Sequence, residues 1–362
     1  MEADALTAVR VQVQDLIDLC VAAMRKSGIN QEDAELTAEV LVTTDTWGTF
    51  THGTRQLRGL MKNVRLGAID PAAVIEVIGE GPSFAVADAH AAMPPAAAYR
   101  AMQIAIDKAH TTGVAYVGVR NGGHFGAAGF YAYLAARADM IGMATGNVDP
   151  GVTVPGSRGR VLGTNPIAYA VPAGAEYPLL FDIATSAIAA TKVYAAVAEG
   201  RPIPDTWLVD EDGLPTTDGS IYPRLGALAP MAGHKGYGLA LFVEVLSAVL
   251  SGAAITKEVH SWVMHPDKPG NQGYGFLAIA IDQIMPLAMF KERMDGLIRE
   301  IRAAPKAKGA DRIYLPGEME WERREAALAH GILLPPHVLE SLRGLAQDVE
   351  IDPAQFNVKL QG

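Results

Sequence analysis

Apolar positions near the start of the chain recur every three or four residues. In "VQVQDLIDLCVAAMRKSG" they fall at Val13, Leu16, Ile17, Cys20 and Met24, which predicts an amphipathic helix with Gly28 as its stop. "NQEDAELTAEVLVTTDTWG" predicts a second helix, capped by Asn30, with Glu32 and Asp33 in the first turn where acids meet the positive end of the helix dipole. The chain to about residue 65 therefore reads as helical. From about residue 83 the period shortens and the segments alternate. "SFAVADA" reads as a strand, "PPAAAYRAMQIAIDKAHTTG" as a helix between Pro95 and Gly113, "VAYVGVR" as a strand, "AAGFYAYLAARA" as a helix and "MIGMATGNV" as a strand. "NPIAYAVPAG", "YPLLFDIA" and "FLAIAIDQ" add strands, and "FKERMDGLIREIRAAP" and "WERREAALAHG" return to helix, the last stopped by Gly331.

This pattern predicts an α/β (α+β) fold. The expected organisation is a mainly helical domain built from residues 1–78 and 285–362, and an α/β domain over residues 79–284. No G-x-G-x-x-G follows the first strand, as a Rossmann fold requires; residues 123–129 give G-x-x-G-x-x-G, a different spacing in a different context. The most apolar run, residues 236–255, is about long enough to span a membrane, but it carries Glu244 and is bounded by glycines, so it reads as a buried helix and no membrane association is expected.

Composition narrows the function classes. Hydrophobic residues make up 49% of the 362 and charged residues 19%, enough for a substantial core. The net charge of −10, with no dense Lys/Arg block, argues against nucleic acid as a partner. A single cysteine, Cys20, rules out an internal disulfide and a cysteine-based metal site, and suits the cytoplasm. The N-terminus has no basic segment leading into an apolar one, so no signal peptide is expected. There are nine histidines but no H-E-x-x-H and no H-x-x-x-H on a helix, so no metal is expected.

Several short stretches could carry chemistry. "TFTHGTRQLRG" groups Thr51, His52, Arg55 and Arg58: an oriented acid or base beside cations suited to a carboxylate, or else a capping threonine, a surface histidine and solvated arginines. "RNGGHFGAAG" sets His124, Phe125 and Gly126 between a strand and a helix, where glycines let backbone approach a ligand and the helix start offers free N–H groups; an ordinary tight turn is the alternative. Thr164 and Asn165 precede a proline and a strand, in a ligand contact or a plain turn. Asp182 and Thr185 are N-cap candidates for a helix beginning near Ser186, or contacts for a cofactor ribose. His234 and Lys235 lie among glycines at the head of the apolar run, and Glu318 follows a Pro-Gly turn.

Taken together, "THGT", "NGGHFGAAGFYA", "GTNPIAYAVP", "DIATS", "HKGYGLAL", "LSGA" and "PGE", in this order along nearly the whole chain, resemble the malate/L-lactate dehydrogenase family that is unrelated to the Rossmann-fold enzymes. The resemblance implies a non-Rossmann nicotinamide-binding domain, NAD or NADP as cofactor, a homodimer with the active site near the subunit interface, and hydride transfer at C2 of a 2-hydroxy or 2-oxo acid, or reduction of a cyclic 2-imino acid. It implies that His52 is the proton donor or acceptor, oriented by Thr51, and that His124 faces nicotinamide and substrate and is the alternative acid/base, a role some members assign to it. It assigns cofactor contacts to His124, Phe125, Gly126, Thr164, Asn165, Asp182, Ile183, Ala184, Thr185, Ser186, His234, Lys235, Gly317 and Glu318. The family often has an arginine four residues after the histidine, gripping the substrate carboxylate. Here Gln56 stands there, leaving Arg55, Arg58 or Gln56 to hold a small-molecule substrate. A hydrolase or lyase without nicotinamide, or a non-catalytic binding protein, are the rivals of another class.

Overall fold

The computed structural model describes residues 8–359. A short strand, β1 (Val9–Val11), leads into helices α1 (Val13–Lys26), α2 (Gln31–Thr46) and α3 (Leu57–Arg65). The inner face of α1 is Leu16, Leu19, Cys20, Ala23 and Met24. Asn30 caps α2 as expected, its side-chain oxygen accepting from Asp33 N–H at 2.9 Å. There follow β2 (Glu76–Gly81), β3 (Phe84–Asp88), α4 (Pro94–Thr112), β4 (Val114–Gly122), α5 (Ala128–Arg137), β5 (Met140–Gly146), β6 (Ile167–Val171) and β7 (Leu179–Ile183). Then come α6 (Ala190–Ala198), the short strands β8 (Leu208–Val209), β9 (Pro215–Thr216) and β10 (Ala227–Leu228), α7 (His234–Glu244), β11 (Gln272–Ala280), α8 (Leu287–Arg302), α9 (Glu318–His330), β12 (Ile332–Leu334) and α10 (Pro336–Asp348).

Seven strands form the main sheet in the order β2-β3-β4-β11-β5-β6-β7. Strands and helices alternate along the chain, yet within this sheet only β3 and β4 pair in parallel. The reason is β11. It returns late in the chain and inserts between β4 and β5, antiparallel to both. One face of the sheet packs on α4 and α5 through small residues. At Gly142 an added Cβ would lie 2.3 Å from the Ala132 carbonyl oxygen, so α5 rests directly on β5 backbone.

The segment after α7 lies against the opposite face of the sheet. Tyr116 donates to the Leu246 carbonyl at 2.5 Å, and Ser247 donates to Thr145 Oγ1 at 2.8 Å. This corrects the expectation of a buried helix over 236–255. Gly236, Ala240, Val243, Glu244, Ser247 and Ala248 are buried, but Leu241, Phe242, Val245, Val249 and Leu250 are exposed. Among the described residues no helix is long and apolar enough to cross a membrane. A second cluster gathers both chain ends: β1 pairs with β12, and Leu16, Leu41, Leu57 and Leu60 pack with Leu339 and Leu342. Trp47 and Trp321 meet edge-on at 5.8 Å and belong to the sheet's core.

Valine at Gly142 would drive its side chain into the Ala132 carbonyl. Gly142→Val is expected to lower stability by about 1–3 kcal/mol or more. Gly79→Ala, where nothing lies within 4 Å of the added carbon, should change it little. Urea denaturation of the two variants checks both.

Candidate active site

The loop carrying His52 is built on a buried carboxyl. Asp45, near the end of α2, accepts from the Thr54 backbone N–H at 3.1 Å and from its hydroxyl at 2.5 Å. An added Cβ at Gly53 would lie 1.8 Å from Asp45 Oδ1, so only glycine lets the chain pass so near. Gln56 donates to the Thr51 carbonyl at 2.8 Å and fastens the other side of the turn. Held this way, Thr51 Oγ1 lies 2.9 Å from His52 Nδ1. Burial pushes the Asp45 carboxyl up to about 7.

The second histidine arrives from the far end of β4. Tyr274 fixes its loop by accepting from Gly123 N–H at 2.7 Å and donating to the Gly123 carbonyl at 2.5 Å. Tyr131 donates to the Phe125 carbonyl at 2.5 Å. Gly126 has φ +87°, and an added Cβ there would lie 3.4 Å from the His52 carbonyl oxygen, so the two loops touch along backbone. The imidazoles of His52 and His124 stand 5.6 Å apart, centre to centre. Burial lowers the affinity of both for a proton; for His124, with the His52 charge adding to it, the value falls to about 3. His124 Nε2 is buried without a hydrogen-bond partner. A buried polar atom in that state costs about 1–3 kcal/mol and is a natural contact for a ligand.

The structure joins some expected residues and separates others. Thr185 donates through its hydroxyl to the Thr164 carbonyl at 2.9 Å and accepts from Met231 N–H at 2.9 Å, so the 164–165 turn, the 182–186 segment and the approach to α7 form one wall. Asn165 is wholly buried and its amide is committed to Glu244 Oε2 at 2.8 Å and the Ala240 carbonyl at 3.1 Å. The helix expected near Ser186 begins instead at Ala190, capped by the extended Ala189, because Ser186 bridges to Pro230. Asp182 and Thr185 do not cap it. Asp182 caps α5, accepting from Gly129 N–H at 2.7 Å. Ile183 and Ala184 are half-buried. His234 and Lys235 are exposed in the first turn of α7. Gly317 packs on Leu180, and the Glu318 carboxylate accepts from Leu315 N–H at 2.9 Å and pairs with Arg302 at 3.4 Å.

Arg58 is tied to Asp348 of α10 at 2.8 Å and lies against Gly344, away from the imidazole pair in its contacts. Arg55 is exposed, and its carbonyl accepts from Ser341 at 2.6 Å. Gln56 leaves its side-chain oxygen, Oε1, buried and unpartnered. Three groups were not singled out from the sequence as parts of the site. Glu244 accepts from Asn147, Asn165 and Thr256 N–H and is the hub beneath the wall; its only signal was a lone acid in an apolar run. Trp262 lies flat on His124, 4.9 Å between ring centres and 2° between planes. Lys268 lines the same cavity as His124 and Trp262. Both belong to a loop with no motif to mark it.

The family described as malate/L-lactate dehydrogenase matches residues 11–343. The chain belongs to that family. A malate dehydrogenase of Pyrococcus horikoshii is 36% identical over 95% of this chain and 96% of its own. A Δ1-pyrroline-2-carboxylate/Δ1-piperideine-2-carboxylate reductase of Pseudomonas syringae is 34% identical over 93% and 96%. The solved sulfolactate dehydrogenase of Methanocaldococcus jannaschii superimposes with a TM-score of 0.89 at 33% identity, covering 97% of this chain and all of that one. This member of the malate/L-lactate dehydrogenase family is thus an NAD(P)-dependent oxidoreductase acting on CH–OH or C=N groups. Its residues fit a nicotinamide: the orphaned His124 Nε2 gives an enclosed polar contact, and the exposed start of α7 offers N–H groups and Lys235 to phosphate.

The buried carboxyl and the imidazoles give stability opposite pH dependences. Asp45, raised from the ordinary carboxyl range, adds stability below about pH 4 that is lost as pH rises through about 7. His124, depressed, adds stability above about pH 6.5 that is lost as pH falls through about 3. Asp45→Asn keeps an acceptor for Thr54 and removes the first effect. Its stability relative to wild type is expected to rise from about pH 4 to about pH 7 and then level off, read by urea denaturation at each pH; a flat difference across that range would contradict the assignment.

Proposed function

We propose that this enzyme moves a hydride between NAD or NADP and C2 of a 2-hydroxy or 2-oxo acid, with His52 as the group that takes or gives the proton. The observation that carries the reading is the Thr51–His52–His124 cluster, an oriented imidazole 5.6 Å from a second one whose Nε2 has no partner. When bound, the nicotinamide accepts or supplies the hydride at C2. Phe125, Gly126 and His124 would meet its ring end, Thr164, Ile183 and Ala184 its middle, and His234 and Lys235 the remainder, while Asn165, Asp182, Thr185, Ser186, Gly317 and Glu318, engaged within the protein, would shape these segments from behind.

The proton steps follow from burial. Burial favours the neutral form of His52, and in the tautomer whose Nδ1–H is given to Thr51 Oγ1 the lone pair is on Nε2. That nitrogen takes the hydroxyl proton as the 2-hydroxy acid is oxidised. In reduction, a substrate carboxylate brought beside the ring favours the imidazolium, which returns the proton to the C2 oxygen. Neutral His124 donates or accepts a hydrogen bond at the same oxygen and excludes water. With Arg58 engaged by Asp348, Arg55, Lys268 or backbone N–H groups serve the carboxylate.

A second reading is reduction of a cyclic 2-imino acid. The cyclic 2-imino acid keeps the same C1 carboxylate, so what supports this reading is the 34% identity to the Pseudomonas syringae reductase, while Gln56, bonded to the Thr51 carbonyl, leaves the carboxylate grip to other groups in either case. The test is consumption of NADH and of NADPH at 340 nm against pyruvate, oxaloacetate, other 2-oxo acids and a cyclic 2-imino acid. His52→Ala is expected to cut turnover about 10²–10⁴-fold with cofactor affinity little changed. Undiminished turnover in that variant would remove His52 from the mechanism, and loss of cofactor binding to the wild type would remove the whole reading.

We also infer a homodimer working in the cytoplasm. The support is the apolar face of Leu241, Phe242, Val245, Val249 and Leu250, with Phe242 51% exposed, and a buried free cysteine compatible with a reducing compartment. Phe242→Glu should shift the sedimentation coefficient from dimer to monomer. A wild type that sediments as a monomer would refute the dimer.

A further inference from the structure

We propose that Trp262 is the specificity-determining residue of this site, its indole standing over His124 where the substituent on C3 of the substrate must enter. The proposal rests on the reading of His52 and His124 as the reacting end. The indole is parallel to the imidazole, an offset stack within the usual range for aromatic pairs.

The face of α3 that receives the indole has a gap and a clamp one turn apart. At Gly59 an added Cβ would lie 2.6 Å from the six-membered ring of Trp262, so any side chain there would push the indole out. At Asn63, which is buried, the side-chain amide donates to the Trp262 carbonyl at 3.2 Å and to the Pro266 carbonyl at 2.8 Å. Positions 59 and 63 share one helix face, so the space and the fastening coincide. The next two residues of the loop, Val263 and Met264, are exposed, the latter by 72%. The loop is therefore pinned at the residue that meets the imidazole while its neighbours stand in solvent.

The cavity that remains between Trp262, His124, Leu60, Pro94 and Gly123 is about 20 Å³. That is close to the room for a single water molecule. With so little free space around it the indole has no room to yield, so C3 as a bare methyl, as in pyruvate, is accommodated beside it, whereas a longer chain or a ring at C3 requires the indole to leave. Removing or loosening Trp262 should therefore change which 2-oxo acid is preferred, with cofactor binding unaffected.

The test compares wild type, Trp262→Ala and Asn63→Ala with pyruvate and 2-oxohexanoate. Trp262→Ala is expected to raise kcat/KM for 2-oxohexanoate relative to pyruvate at least tenfold, the scale on which small apolar pockets discriminate. Asn63→Ala keeps the indole but unties it, and should move the ratio the same way by less. A ratio unchanged within twofold in Trp262→Ala overturns the proposal. If neither acid is turned over by any of the three, the substrate lies outside this pair and the His52 reading is judged separately on the wider panel above. The wall is then decided by calorimetric binding of oxamate and N-butyl oxamate to the cofactor-loaded protein. A gain for the butyl compound confined to Trp262→Ala supports it, and equal gains or none overturn it.

Discussion

The site depends on two loops approaching each other along bare backbone. Gly126 brings the His124 loop against the His52 carbonyl, and Gly53 brings the His52 loop against Asp45. A β-carbon at Gly53 would overlap the carboxylate. One at Gly126 would need a left-handed conformation that side chains disfavour. This approach buries the imidazoles and so favours their neutral forms. Their chemistry is therefore a consequence of backbone packing more than of any neighbouring charge.

Around that contact the fold distributes its supports economically. Tyr131 and Tyr274 come from the core of the sheet and hold the glycine loop by its carbonyls. Glu244, from the opposite face, holds Asn147, Asn165 and the start of the loop that bears Trp262. A buried carboxylate with three donors is stable where a lone one would not be. Through it, the wall formed by the 164–165 turn and the loop that bears Trp262 share one anchor.

The apolar run beyond His234 shows why hydropathy alone misleads. Its small residues pack against the sheet and its large ones face outward. A run apolar on both faces satisfies a core and a second surface at once, and a sliding average cannot distinguish that from complete burial. The same limit applies to strand order. The segment ending at Ala280 was legible as a strand, but its insertion between β4 and β5 is a long-range pairing that local pattern does not contain.

By itself the sequence determined the helices and strands with strong periodicity, the Asn30 cap, the mixed class and the two histidine-bearing loops, because each is encoded by spacing and turn chemistry within a few residues. Its ordered motifs also carried the family. Only the tertiary structure decided that Arg58 belongs to Asp348, that Asn165 faces inward, that Asp182 caps α5, and that Trp262 lies on His124. Those facts join positions far apart in the chain. They are set by which backbones can touch, and a linear pattern has no term for that.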